Sequence, residues 1–131
     1  MGVTRVNVTV RNISAPDRSW SGLFVVDTGA TDSMVPREFL EAIGLSPLRQ
    51  RTYRLGDGRS LTFDITEARL EFMGKATAKD IIMGGPGSEP LLGVTALEST
   101  GMEVDPVSET LKELPAVRLV GMRVEPGRTG N

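Results

Sequence analysis

The sequence predicts a mostly β domain with one or two short helices. Three observations point there. Apolar and polar residues alternate at period two in several segments, short runs rich in Val, Ile and Leu stop at glycines, and 15 Gly and 8 Pro divide the 131 residues into many short pieces. Helical signals are confined to two brief apolar clusters, one after Pro36 and one after Gly93.

Val6, Val8 and Val10 alternate with polar residues and read as a half-buried strand. Residues 14–21 are polar, contain Pro16 and Trp20, and read as a loop leading into a strand that ends at Asp27. Ser33, Met34 and Val35 form a short extended piece. Pro36 takes the first position of a helix whose Phe39, Leu40 and Ile43 share one face and which Gly44 terminates. Residues 51–65 read as a β-hairpin around Gly56-Asp57-Gly58, with Tyr53 and Leu55 before the turn and Leu61, Phe63 and Ile65 after it. The apolar phase then moves from odd positions to even ones (Ala68, Leu70, Phe72), which predicts a bulge near Thr66 and Glu67.

Met73-Gly74-Lys75 is a turn, 76–83 the next strand, and 84–90 a Gly/Pro-rich loop. Leu91-Leu92-Gly93 leads into a short helix through Val94, Ala96 and Leu97 that Gly101 ends. Residues 102–105 and 110–111 flank a turn at Pro106 as a second hairpin. Residues 116–124 add a strand, and 126–131 form a frayed tail. The expectation is one domain over residues 1–125 followed by a flexible C-terminal tail, 126–131.

Absences narrow the chemistry. The chain has no Cys, hence no disulfide, thiol nucleophile or thiolate metal site, and no His, which removes Ser-His-Asp catalysis and the usual zinc sites. Phosphate-binding glycine loops are missing from it. Proton transfer would fall to carboxylates or Lys, and no metal or cofactor is expected. The net charge of −2 and the lack of a basic run argue against nucleic acid as a partner. No apolar stretch reaches membrane-spanning length, the first residues lack a signal-peptide core, and Val6 stands where N-myristoylation requires Ser or Thr. No membrane association and a cytoplasmic location are therefore expected.

One segment carries most of the functional information. In Phe24-Val25-Val26-Asp27-Thr28-Gly29-Ala30-Thr31, three apolar residues form a buried strand and Gly29 permits a sharp turn. Asp27 thus sits where the strand stops, with Thr28 and Gly29 beside it, and an ionisable group there does not serve packing. This octapeptide resembles the catalytic loop of the aspartic proteases. Because the chain holds one such loop, the resemblance is to the retroviral-type enzymes (retropepsins) and their cellular relatives. The order of the remaining features agrees: a glycine-containing hairpin, a strand pair, and Leu91-Leu92-Gly93, whose Gly lies sixty-six residues beyond Asp27. Residues 96–98 and 101–106 are especially similar to bacterial and archaeal members. Two departures stand out. Val94 and Thr95 occupy positions where retroviral enzymes carry Arg and Asn or Asp, and the position of that Arg's acidic partner is Thr31.

The resemblance implies a retropepsin-like closed β-barrel, an acid-protease half that functions as a C2 homodimer. It also implies an aspartic endopeptidase in which Asp27 from each of two identical chains forms a dyad that activates a water. By the same resemblance Thr28 and Gly29 support the loop. Gly29, Ala30, Thr31, Leu55, Gly56, Asp57 and Gly58 contact an extended polypeptide substrate, and Leu91, Leu92 and Gly93 back the site. Val35, Leu55, Leu61 and Ile82 are candidates to line side-chain pockets, and the strands around Val6–Val10 and Val117–Leu119 are candidates for dimer contacts. Two alternatives stand beside it: a catalytically inactive homodimer of this fold that binds peptides or proteins, and a structural β-barrel with a coincidental motif.

Overall fold

In a computed structural model the chain is described over residues 3–115. The expected strand at 116–124, the tail at 126–131 and the domain boundary at 125 lie outside those residues. Nine strands and two helices follow in the order β1 (Arg5–Arg11), β2 (Ser19–Asp27), β3 (Ser33–Pro36), α1 (Arg37–Ala42), β4 (Arg49–Arg54), β5 (Ser60–Phe72), β6 (Lys75–Gly84), β7 (Leu91–Gly93), α2 (Val94–Thr100), β8 (Met102–Asp105) and β9 (Thr110–Glu113). Strands β1-β2-β7-β3-β6-β5 pair in that order, and β5 closes back on β1 through Thr9↔Glu71, Val10↔Leu70 and Arg11↔Arg69. The result is a closed six-stranded barrel, which removes most free sheet edges. Strand β4 pairs with β5 alone and stands outside the barrel, while β8 and β9 form a separate hairpin.

Alternation in the sequence accounts for the interior. Val6, Val8 and Val10 point inward from β1, meeting Phe24 of β2, Leu70 of β5, Ile81 of β6 and Leu92 of β7 in one apolar cluster. Fully burying side chains of this size contributes about 1.5–3 kcal/mol each. The two helices cover the barrel, α1 through Leu40 and α2 through Ala96 and Leu97. Gly44 and Gly101 take positive φ (84° and 68°) just beyond their helices, the backbone a glycine terminator supplies.

Three expectations need correction. The polar stretch 14–21 is not all loop: β2 begins at Ser19, and Ser19, Trp20 and Ser21 pair with Arg11, Val10 and Thr9. Its outer face is polar because Thr9 and Ser21 share a hydroxyl–hydroxyl bond there (2.8 Å), so the strand looked like a loop. Pro36 is the last residue of β3 and precedes the helix, with φ −52° and ψ 135°. No bulge interrupts β5, because its register with β6 runs unbroken from Ile65↔Ile82 to Phe72↔Lys75. The apolar phase changes because β5 passes through two environments. Its first half pairs with β4 outside the barrel and its second half lines the core, so a different face is buried in each.

Candidate active site

β2 carries Phe24, Val25 and Val26 through the barrel wall and ends on Asp27. Its neighbour is β7, parallel, in the register Val25↔Leu91, Val26↔Leu92, Asp27↔Gly93. Two tripeptides far apart in sequence thereby lie side by side, and Gly93 stands opposite Asp27. No larger residue fits there. A Cβ on Gly93 would sit 2.6 Å from the Asp32 carbonyl carbon, 2.7 Å from its oxygen and 2.9 Å from the Thr31 oxygen.

The loop after Asp27 is held by its own backbone. Asp27 Oδ1 accepts the Gly29 N–H at 2.9 Å, and the Asp27 carbonyl accepts the Ala30 N–H at 3.1 Å, so the carboxylate caps a tight turn. A Cβ at Gly29 would approach that carboxylate oxygen to 3.2 Å, which explains the small residue. The start of α2 fixes the far side of the loop: Val94 N–H donates to the Ala30 carbonyl (2.8 Å), and Thr95 donates to the Thr31 carbonyl from its N–H (3.2 Å) and its hydroxyl (2.9 Å). Buried Ser33 adds a further tie by accepting the Gly93 N–H at 2.9 Å. Thr28 is exposed, and its hydroxyl has no hydrogen-bond partner among the described residues.

The second part of the site is the β4–β5 hairpin. Its tip closes through Leu55 N–H to the Arg59 carbonyl (2.7 Å) and Gly58 N–H to the Leu55 carbonyl (3.0 Å), with Gly58 at φ +89°. Asp57 is engaged inside the tip, where the Arg59 N–H and guanidinium hold its carboxyl below the usual range. Directly paired residues share a face, so Arg51 and Phe63, and Tyr53 and Leu61, lie on one side of the ribbon. Tyr53 and Phe63 meet edge-on at 6.0 Å. The other side is polar, with Thr52 hydrogen-bonded to Thr62 at 2.7 Å.

The ribbon is tied to the loop after Asp27 through Arg51 and Tyr53 of β4. Asp32 Oδ2 accepts the Tyr53 hydroxyl at 2.5 Å and Arg51 Nη1 at 2.8 Å, while Arg51 Nη2 reaches Asp80 Oδ2 at 2.7 Å. Arg49 pairs with Asp80 and Glu67 beyond. Burial, and then the bond donated to Asp32, push the Tyr53 hydroxyl up to about 12. Burial raises the Asp80 carboxyl, but hydrogen bonds from Arg49 and Arg51 outweigh it and hold that group below its ordinary value.

Of the residues singled out from sequence, Asp27, Thr28, Gly29, Ala30 and Thr31 form one loop with Leu91, Leu92 and Gly93 beside it. Leu55, Gly56, Asp57 and Gly58 form the hairpin tip, with no hydrogen bond to that loop among the described residues. Of the candidates for pocket walls, Val35 (0% exposed) belongs to the core cluster, while Ile82 (6% exposed) is buried opposite Ile65 and is not part of that cluster. Leu61, 44% exposed, remains on the ribbon face that carries Tyr53. Sequence reasoning missed Asp32, Ser33, Arg51, Tyr53 and Asp80. The signal for three of them was present: an acid just past the turn, and a cation and a phenol at alternate positions on the facing strand. Among the described residues no group of three or more acids is arranged to hold a metal ion.

A six-stranded barrel that ends one strand on a turn-capping Asp, opposite a Gly whose added Cβ would strike the backbone of Thr31 and Asp32, is the architecture of a retroviral-type aspartyl protease domain. The family of gag-polyprotein putative aspartyl proteases matches residues 21–99, more than half of the chain, and the chain belongs to that family. The simian foamy virus (mac) protease, solved in solution, has the same fold. Its TM-score is 0.52 at 17% identity over 72% of this chain and 92% of that one. No curated protein matches the sequence.

Proposed function

We propose that two copies of this chain form an aspartic endopeptidase that cleaves extended polypeptides, with Asp27 of each copy supplying half of a catalytic dyad. The placement of Asp27 carries the reading. Its carboxylate caps the turn at the end of β2, inside the stretch that the family matches and in a motif that resembles the catalytic loop of the aspartic proteases. One carboxylate cannot serve as base and acid in the same step, and no second carboxylate is hydrogen-bonded to Asp27 among the described residues. A two-fold axis supplies the partner from an identical chain.

Two carboxylates held close together share one proton and titrate as a pair; aspartic proteases are the standard example. The ionised member takes a proton from a water as it attacks the scissile carbonyl. The protonated member donates to the carbonyl oxygen and stabilises the tetrahedral intermediate. The exposed Thr28 hydroxyl is free to reach the partner loop. Substrate lies extended beneath the β4–β5 hairpin and pairs by its backbone, with Leu55 and Leu61 against its side chains. Residues 96–98 and 101–106, by their resemblance to bacterial and archaeal members, support assignment to that cellular branch, and a cytoplasmic location is proposed with it.

Purified protein and its Asp27→Asn variant, incubated with a diverse peptide library from acid to neutral pH while sedimentation reports oligomeric state, test the proposal. Cleavage by the wild type alone, with both proteins folded dimers, supports the dyad. Equal cleavage by both removes Asp27 from catalysis. A dimer that binds peptides and cleaves none of them replaces the enzyme with a binding module.

A further inference from the structure

A two-stranded ribbon is marginal by itself, and among the described residues β4 pairs only with β5. The β4–β5 hairpin therefore needs an anchor to hold one pose. On one face Tyr53 and Arg51 both bond Asp32 Oδ2, Arg51 also bonds Asp80, and Arg49 bonds Asp80 and Glu67. On the other face Asp64 meets Arg37 of α1. Among the described residues, only the Asp32 contacts run to the loop that carries Asp27. Asp32 itself is nearly enclosed, its side chain 11% exposed, and it precedes Ser33, whose hydroxyl holds Gly93 opposite Asp27.

We infer that Asp32, Arg51 and Tyr53 form a latch that sets the pose of the hairpin over the catalytic loop, making them positioning residues of the peptidase site. This rests on Asp27 as the catalytic carboxylate and on the hairpin as the substrate cover. The geometry suits the task. Two donors from alternate positions of β4 converge on one oxygen, so rotation of the ribbon about its base breaks both bonds at once. Arg51 uses separate arms of its planar fork for Asp32 and Asp80, which a lysine cannot reproduce. Loop and hairpin consequently move as one body, although the tip makes no hydrogen bond to the loop among the described residues.

Hydrogen exchange measured in the Asp27→Asn background reads the latch independently of cleavage. Tyr53→Phe is expected to speed exchange of hairpin amides 51–60 about tenfold, the scale of one charge-assisted hydrogen bond. Arg51→Met is expected to speed it further, and Arg51→Lys to restore part of the protection; the β1–β2 ladder stays unchanged in all three. In the chain with Asp27 intact, Tyr53→Phe raises KM about tenfold with a smaller effect on kcat, as loss of ground-state substrate contacts requires. Unchanged hairpin exchange overturns the latch. A rise spread evenly over β3 and β6 does the same, since it would mark a barrel brace, and so does an unaltered KM. Should Arg51→Met fail to fold, Tyr53→Phe decides alone. If wild-type protein cleaves nothing, proteolysis is refuted while the exchange data still decide the latch.

Discussion

Replacing Gly93 with alanine tests how tightly the loop is built. The added Cβ would lie 2.6 Å from the Asp32 carbonyl carbon and 2.7 Å from its oxygen. Carbon atoms ordinarily pack at about 3.5–4.0 Å, so the backbones must separate by roughly 1 Å. Neither side can yield cheaply, since the obstructing atoms are main chain and the Gly93 N–H is tied to Ser33 Oγ. The cost belongs at the upper end of the overpacking range, about 3 kcal/mol, which a domain with stability on the order of 5–15 kcal/mol survives. Urea unfolding followed by the fluorescence of Trp20, the sole tryptophan, measures it. Gly85→Ala is the control, because a Cβ there meets nothing within 4 Å; it should change stability by less than about 0.5 kcal/mol. A shift of this size beside Asp27 should also lower peptide cleavage on the order of a hundredfold. Gly93→Ala with wild-type stability and m-value would refute the close-approach reasoning, whatever its activity.

The Ser33→Ala variant leaves the Gly93 N–H buried without an acceptor, and the same urea assay should register a loss of about 1–3 kcal/mol. Phe39 stacks on Trp20 at 4.6 Å and 8°; Phe39→Leu should cost about 1 kcal/mol and move Trp20 emission to the red, and unchanged emission would mean that α1 does not shield the indole. Glu71 is held down to about 2, from an ordinary 4.5, by hydrogen bonds from Arg11 and then Arg69. Its folded-state value is depressed, so its contribution is complete above pH 4.5 and fades as pH falls toward 2. With the side chain 27% exposed, the effect is limited to about 1 kcal/mol. The Tm gap between wild type and Glu71→Gln should accordingly narrow as pH falls through that window, and a constant gap would remove Glu71 as a source of acid sensitivity.

Much of the fold was legible because its signals are local. Alternation at Val6, Val8 and Val10 needs only the pleat of a strand, and Gly44 and Gly101 end helices for reasons internal to one residue. The hairpin around Gly56-Asp57-Gly58 was equally local. The turn after Asp27 followed from Asp and Gly two residues apart, and the structure adds the bond between them. The register that sets Asp27 against Gly93 was not legible, because it is fixed by barrel closure and not by either tripeptide. The latch was hidden for a similar reason: Asp32 follows the turn, Arg51 and Tyr53 lie on β4 and Asp80 on β6, and nothing local to any of these three segments brings them together. The phase change along β5 misled because a change of environment and an inserted residue leave the same mark on a sequence.

Val94 and Thr95, where the resemblance leads one to expect Arg and Asn or Asp, do not leave the loop unsupported. Three backbone-directed bonds hold it: Val94 N–H to the Ala30 carbonyl, and the Thr95 N–H and hydroxyl to the Thr31 carbonyl. At about 1 kcal/mol net apiece, they match one hydrogen bond to a charged group, worth about 1.5–3 kcal/mol. They do so without desolvating a charge, whose penalty can exceed the attraction it enables. The ionic work has moved instead to Asp32, where Arg51 and Tyr53 approach from the hairpin. Neutral bonds therefore fix the loop to the barrel, and charged ones couple it to the hairpin. That division leaves the Thr28 side chain exposed and without a hydrogen-bond partner among the described residues, which suits the proposed meeting with an identical copy.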